Sequence, residues 1–121
     1  MRILHVFDHS IPLHSGYTFR SFQILSEQRK LGIETLHVTS IKHTAPYTEK
    51  ETVDGFEFYR TKPWGGILNK LPVINQWLVV KTLEKRIEQI VRNEKVDVIH
   101  AHSPAINGHA ALRIGRKYNI P

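Results

Sequence analysis

Two stretches of this chain share one plan, and that plan restricts the fold more than anything else in it. Lys95 to Pro104, KVDVIHAHSP, is a short β-branched run whose polar residues gather at its carboxyl end, with Ser103-Pro104 following as a helix opening. Arg2 to Phe7, RILHVF, is apolar and mostly β-branched or aromatic, then breaks into DHSIPLHSG. In an open parallel α/β sheet, ligands bind outside the carboxyl ends of the strands, at the point where strand order reverses. If these two strands are neighbours at that point, Asp8, His9, His14, Ser15 and Gly16 share one crevice with His100, His102 and Ser103.

The intervening sequence supports alternation of strands and helices. Tyr17 to Leu31 reads as a helix, with Phe19, Phe22 and Leu25 spaced for a buried stripe and Arg20, Glu27, Arg29 and Lys30 left for solvent. Gly32 ends it, because glycine accepts the left-handed conformation of a helix stop, and Ile33 can close a Schellman-type contact. Glu34 to Ser40 is a second strand. Lys42 to Lys50 reads as a loop. Asp54-Gly55 between ETV and FEFYR is a hairpin signal, with Phe56 to Arg60 as the third strand near a sheet edge. From about Ile74 to Glu94 the repeat of Val80, Leu83, Ile87, Ile90 and Val91 marks a crossover helix. Val96 to Ala101 is the fourth strand, and Ser103 as N-cap with Pro104 at the first helical position starts a last helix through about Tyr118. The expected fold is a doubly wound parallel α/β sheet, Rossmann-like. It is incomplete at the carboxyl end, since a fifth strand would begin at Asn119-Ile120-Pro121, and the chain reads as part of a larger protein.

At 121 residues, 40% hydrophobic and 23% charged, the chain is one domain able to bury a real core. A formal charge of +6 suits anionic partners, but Lys and Arg form no block of five or six, which argues against a nucleic-acid arm. Without cysteine there is no disulfide framework, thiolate metal site or cysteine nucleophile. The amino terminus reads as a strand rather than a signal peptide, and no run approaches the ~20 apolar residues of a membrane span. A cytosolic protein is expected.

Among the candidate residues, Gly16 lets backbone approach an anion at the start of a helix. The loop is neither G-x-G-x-x-G nor a P-loop, which disfavours nicotinamide dinucleotide and Walker-type ATP sites. His9, His14, His100 and His102 lie on the two facing loops and can bind a sugar hydroxyl, a phosphate or a metal. His-x-His on a strand is a zinc-enzyme pattern that Asp8 could complete, yet the spacing is generic, and no metal is expected. His5 and His37, mid-strand among apolar residues, read as hydrogen-bonded core histidines. Asp97, at the amino end of its strand, reads as structural, and Asp8 as the closer of an Asx-turn. Arg20 can grip a phosphate or carboxylate bidentately or form a surface ion pair. Trp64, Ile67, Leu68, Leu71, Val73, Trp77 and Leu78, with Lys62, Lys70 and Lys81 around them, form either core or a patch for anionic lipid, the tryptophans being the better candidates for exposure.

In order and spacing, RILHVFDHSIPLHSGYTFRS, the VDGFEFYRT hairpin and VDVIHAHSP resemble the amino-terminal domain of a retaining GT-B glycosyltransferase of family 4, closest to the bacterial exosortase and exopolysaccharide subgroup. The resemblance implies a cytoplasmic two-domain enzyme whose first Rossmann-like domain chiefly holds a glycan or lipid-linked acceptor. A second such domain would bind the nucleotide-sugar and carry paired glutamates, with the catalytic residues beyond Pro121. By that resemblance Ser15 and Gly16 face the donor diphosphate, although Ser15 replaces the first glycine of the usual pair. The acceptor is met by His14, Tyr17, Arg20, His102 and Ser103, and no metal or other cofactor is needed; a peripheral membrane contact through Trp64, Lys70 and Trp77 rests on the apolar patch and not on the resemblance. Two other readings stand beside it: a noncatalytic Rossmann-like module for an anionic ligand or partner protein, and a sugar-nucleotide epimerase of related architecture.

Overall fold

The computed structural model describes residues 1–13, 15–41, 43, 47–62, 72–102 and 105–121, with only the backbone of 72–75. The elements run β1 (Arg2–Phe7), α1 (Gly16–Lys30), β2 (Glu34–Thr39), β3 (Lys50–Val53), β4 (Phe56–Arg60), α2 (Pro72–Asn93), β5 (Val98–Ala101) and α3 (Ile106–Tyr118). Five strands form one sheet in the order β3-β4-β2-β1-β5. β1 pairs in parallel with β2 and β5, and β2 with β4. The sheet is mixed rather than parallel throughout, because β3 runs antiparallel to β4 at the edge. The hairpin signal is the cause: Asp54 and Gly55 both take positive φ, 50° and 82°, the pair of conformations that turns a chain back in two residues.

Helices cover both faces. On one, Leu4, Val6 and Val38 of the sheet pack with Leu83, Ile87 and Ile90 of α2 and Ala110 and Ile114 of α3. On the other, Phe7, Phe56 and Phe58 pack with Ile11 and with Leu25 of α1. Alternation along β1 makes this division, since successive strand residues point to opposite faces. His5 and Phe7 therefore share the face of α1. The arrangement is compatible with a Rossmann-like fold. Among the described residues, no helix is long and apolar enough to cross a membrane.

α1 begins where its chemistry says it should. Ser15 Oγ accepts the Thr18 amide at 3.1 Å while Thr18 Oγ1 accepts the Ser15 amide at 3.0 Å, a reciprocal capping box. The helix ends in a Schellman pair, Gly32 amide to Arg29 carbonyl and Ile33 amide to Gln28 carbonyl, both 3.0 Å, with Gly32 at φ 80°. Its buried face runs through Thr18, Ser21 and Leu25, so Phe19, expected in the stripe, lies one position off and is exposed. α2 keeps the expected stripe: Leu83, Ile87 and Ile90 are buried. Of the apolar cluster read as core or lipid patch, Leu78 is buried and Trp77 exposed, while 63–71 and the Val73 side chain fall outside the described residues. Ser103-Pro104, expected to open the last helix, also falls outside them, and α3 is described from Ile106.

Two polar arrangements hold the strands in place. At the amino edge, Asp97 Oδ2 accepts the Arg2 amide at 2.8 Å, the structural duty expected of it, and the Arg2 side chain reaches Glu34 and Glu94. At the carboxyl edge Arg60, 4% exposed, donates to Glu51 Oε1 (2.6 Å), Ser10 Oγ (2.6 Å), Thr39 Oγ1 (3.2 Å) and the Ile11 carbonyl (3.0 Å). One guanidinium thus ties the loop after β1 to β2, β3 and β4. Its removal strands a carboxylate and takes a donor from three buried acceptors, so Arg60→Met is expected to cost about 3–5 kcal/mol in denaturant unfolding. Adding Glu51→Gln should restore part of the loss, and an Arg60→Met variant as stable as the parent would show that the network holds nothing.

Candidate functional site

Strand order reverses between β1 and β5. From β1 the chain moves to β2 and β4 on one side, and α2 then carries it to β5 on the other. Both carboxyl ends therefore open on one rim, the place where open α/β sheets bind ligands. The pairing runs Ile3 with Val98, Leu4 with Ile99, His5 with His100 and Val6 with Ala101. It is extended when the His102 amide donates to the Val6 carbonyl at 2.9 Å. Asn107 Nδ2 of α3 donates to the His102 carbonyl at 2.6 Å, so both backbone groups of His102 are held.

A chain of ring contacts connects the two loops. The His102 ring stacks on Phe7 at 4.4 Å, Tyr17 meets Phe7 edge-on at 6.3 Å, and His9 lies against Tyr17 at 4.7 Å. His9 Nε2 then reaches Ser15 Oγ at 3.1 Å, beside Gly16 at the start of α1. The expected crevice residues are thus brought together as far as they are described. His14 and Ser103 lie outside the described residues.

Several of these side chains already have structural work. Ser15 Oγ caps α1, and the Tyr17 hydroxyl accepts the Asp8 amide at 3.1 Å, which braces the end of β1 against the helix. Gly16 is different. It is exposed, its φ is not positive, and a Cβ built there meets nothing within 4 Å among the described residues. Among the described residues nothing demands glycine at this position, and the space in front of it is open. Arg20 is exposed one turn along, and its charge helps to disfavour protonation of His102.

Beneath the rim lies a row of imidazoles that sequence reasoning only half located. His37, His5 and His100 are in register on three adjacent strands, and His102 follows two residues after His100. His37, buried, has its Nδ1 2.8 Å from the Glu57 carbonyl, which can only accept, so Nδ1 carries the proton and Nε2 accepts from Thr35 Oγ1 at 2.7 Å. Burial pushes His37 down to about 4 and His5 to about 3, against the support of their hydrogen-bond acceptors. His102 is lowered to about 4, mainly by burial, and His100 and Arg20 add to the effect. All three are neutral at pH 7. His5, His100 and His102 each bring a ring nitrogen within 4.8 Å of the others. His5 is the member that the loop-based reading left out: it is a hydrogen-bonded core histidine, as expected, and also the floor of this cluster. The His-x-His spacing was visible, but the register that sets His5 beside it was not. His9, grouped with His100 and His102 by sequence, instead pairs with Ser15.

A separate cavity of about 520 Å³ lies at the end of β4 against α2, lined by Glu49, Arg60, Lys62, Lys85 and Arg86 among others. Its two arginines are engaged, Arg60 with Glu51 and Arg86 with the Glu49 carbonyl. It stands away from the reversal of strand order, and we place the candidate site at the β1–β5 rim. Compared with known proteins, the chain matches no family model, and no curated protein matches its sequence.

The buried neutral imidazoles make stability depend on pH. Between about 6.5 and 4 the unfolded chain takes up a proton that folded His37 refuses. Its contribution is complete above about pH 6.5 and is lost as pH falls, at about 1.4 kcal/mol per pH unit for this one ring. Unfolding free energies measured across that window should decline toward acid, and His37→Gln should flatten the decline. An unchanged slope in the variant would mean that the ring titrates normally.

Proposed function

We propose that this chain is the acceptor-side domain of a retaining glycosyltransferase of the GT-B type. In that reading it holds a glycan or lipid-linked acceptor at the β1–β5 rim, while a second Rossmann-like domain binds the nucleotide-sugar and supplies the catalytic groups. The observation that carries the reading is the reversal of strand order between β1 and β5, with the start of α1 joined to His102 through the rings of Tyr17 and Phe7. An exposed glycine with open space before it among the described residues, at a helix amino terminus with Arg20 one turn on, suits a diphosphate brought across the cleft. His102 and neighbouring polar groups suit sugar hydroxyls, because a neutral imidazole both donates and accepts. The formal charge of +6 favours anionic donors and anionic lipid. Peripheral contact with a membrane belongs to the same reading. Of Trp64, Lys70 and Trp77, only Trp77 is described, and it is 59% exposed beside Lys81.

Such enzymes stabilise a departing diphosphate electrostatically, and one domain supplies only part of that stabilisation. The chain alone should therefore bind without turnover. Titrating it with UDP-glucose, followed by amide NMR, should shift Ser15 and Gly16, the residues that meet the donor diphosphate, and leave the β3–β4 hairpin unmoved. Gly16→Ala should weaken those shifts with no loss of folding. Shifts confined to the cavity beside Lys62 and Lys85, or none at millimolar ligand, would count against the proposal, and sugar transfer by the chain alone would overturn its division of labour.

A further inference from the structure

The arrangement of His5, His100 and His102 points to a function that glycosyl transfer does not require. We propose that these three imidazoles form a binding site for a zinc-class divalent ion, set in the sheet where β1 meets β5 and left open at a fourth position.

The ligand set has the right elements. Imidazole nitrogen suits Zn²⁺, and three histidines with an open position are one of the sets that zinc uses outside purely structural sites. His5 and His100 face each other in register, and His102 follows on the same face of β5 because strand side chains alternate. Two nitrogens bound to one tetrahedral ion at about 2.0–2.1 Å stand about 3.3 Å apart. His5 Nδ1 and His102 Nε2 are 3.0 Å apart, and no pair in the cluster exceeds 4.8 Å. The adjustment falls on His100, which is exposed on β5, the outermost strand of the sheet on that side, and can turn without disturbing a packed core.

The hydrogen bonds around the site orient it for a cation. His5 Nε2 lies 2.7 Å from Gln28 Oε1, an oxygen that can only accept. The proton of neutral His5 is therefore on Nε2, and the lone pair of Nδ1 points into the cluster. A ligating histidine usually has this kind of partner on its other nitrogen, which fixes tautomer and ring orientation. Without an ion, His102 Nε2–H donates to that lone pair. Taking up an ion requires only that the His102 proton move to Nδ1, which frees Nε2. The backbone of His102 is held from both sides, by Val6 and Asn107, so its ring starts from a fixed anchor. Three neutral ligands leave the ion its full double charge. Water or an anionic group of a ligand in the crevice would complete the coordination.

Zn²⁺ added to chelator-treated protein, followed by calorimetry, is expected to bind at one equivalent, and Co²⁺ in its place should give the intense visible absorption of tetrahedral nitrogen coordination. His100→Ala, at an exposed position, and His102→Ala should each abolish or severely weaken uptake. Gln28→Met, which keeps all three ligands, should weaken it about 10- to 100-fold. His109→Ala, an exposed histidine on α3, should change nothing. The site is overturned if no saturable uptake occurs, or if uptake survives in His100→Ala and His102→Ala, which would mark an adventitious ion held elsewhere. Neither readout involves sugar transfer, so failure here leaves the glycosyltransferase proposal standing, and failure of that proposal leaves this one.

Discussion

The hydrogen bond from the His102 amide to the Val6 carbonyl carries β5 to the end of its pairing with β1, and the rest of the site depends on that pairing. A parallel pair has one register, and here it sets His5 opposite His100. A shift by one residue would send the whole polar set of β5 to the α2–α3 face, where Leu4, Val6, Ala110 and Ile114 leave no partner for an imidazole. Because β2 holds the other flank of β1, the two polar loops have only one rim to share. The crevice follows from strand order and register before any side chain in it is considered.

Placing imidazoles in the middle of a sheet carries a desolvation cost, and the fold meets it by hydrogen bonding each buried ring. His37 has Thr35 and the Glu57 carbonyl, and His5 has Gln28 and His102. Such rings are stable only as neutral species, and this is why burial drives them down to about 4 and about 3. Aromatic neighbours complete the packing: His5 stacks parallel to Phe7 at 5.8 Å, and His37 meets Phe56 and Phe58. A polar layer held this closely restricts the register of the strands that carry it, because a slipped strand leaves donors and acceptors unpaired.

Much of this architecture could be read from local chemistry. β1 ends where its apolar run ends, the Schellman stop of α1 sits at Gly32, and Asp54-Gly55 turns β3 into β4 as the dipeptide demands. Asp97 is structural because it lies at the amino edge, a position that chain direction alone reveals. What stayed hidden depends on contacts distant in sequence. Phe19 looked like core by spacing, but the buried side of α1 is set by Thr18, Ser21 and Leu25, small and branched groups that let the helix lie close to the sheet. Arg60 at the end of an exposed-looking strand gave no sign that its guanidinium would be buried against Ser10 and Ile11, about fifty residues earlier. Likewise the partnership of His5 with His102 spans 97 positions and exists only through the β1–β5 pairing.

The most direct test of that pairing is an NMR measurement on the histidine rings. Nitrogen-15 labelling of the imidazoles should show His5 protonated on Nε2, ring-proton NOEs from His5 to both His100 and His102, and a scalar coupling across the bond from His102 Nε2 to His5 Nδ1. If the His5 ring instead shows NOEs to neither histidine and exchanges freely with solvent, β5 does not lie beside β1, and the shared rim on which the account rests does not exist.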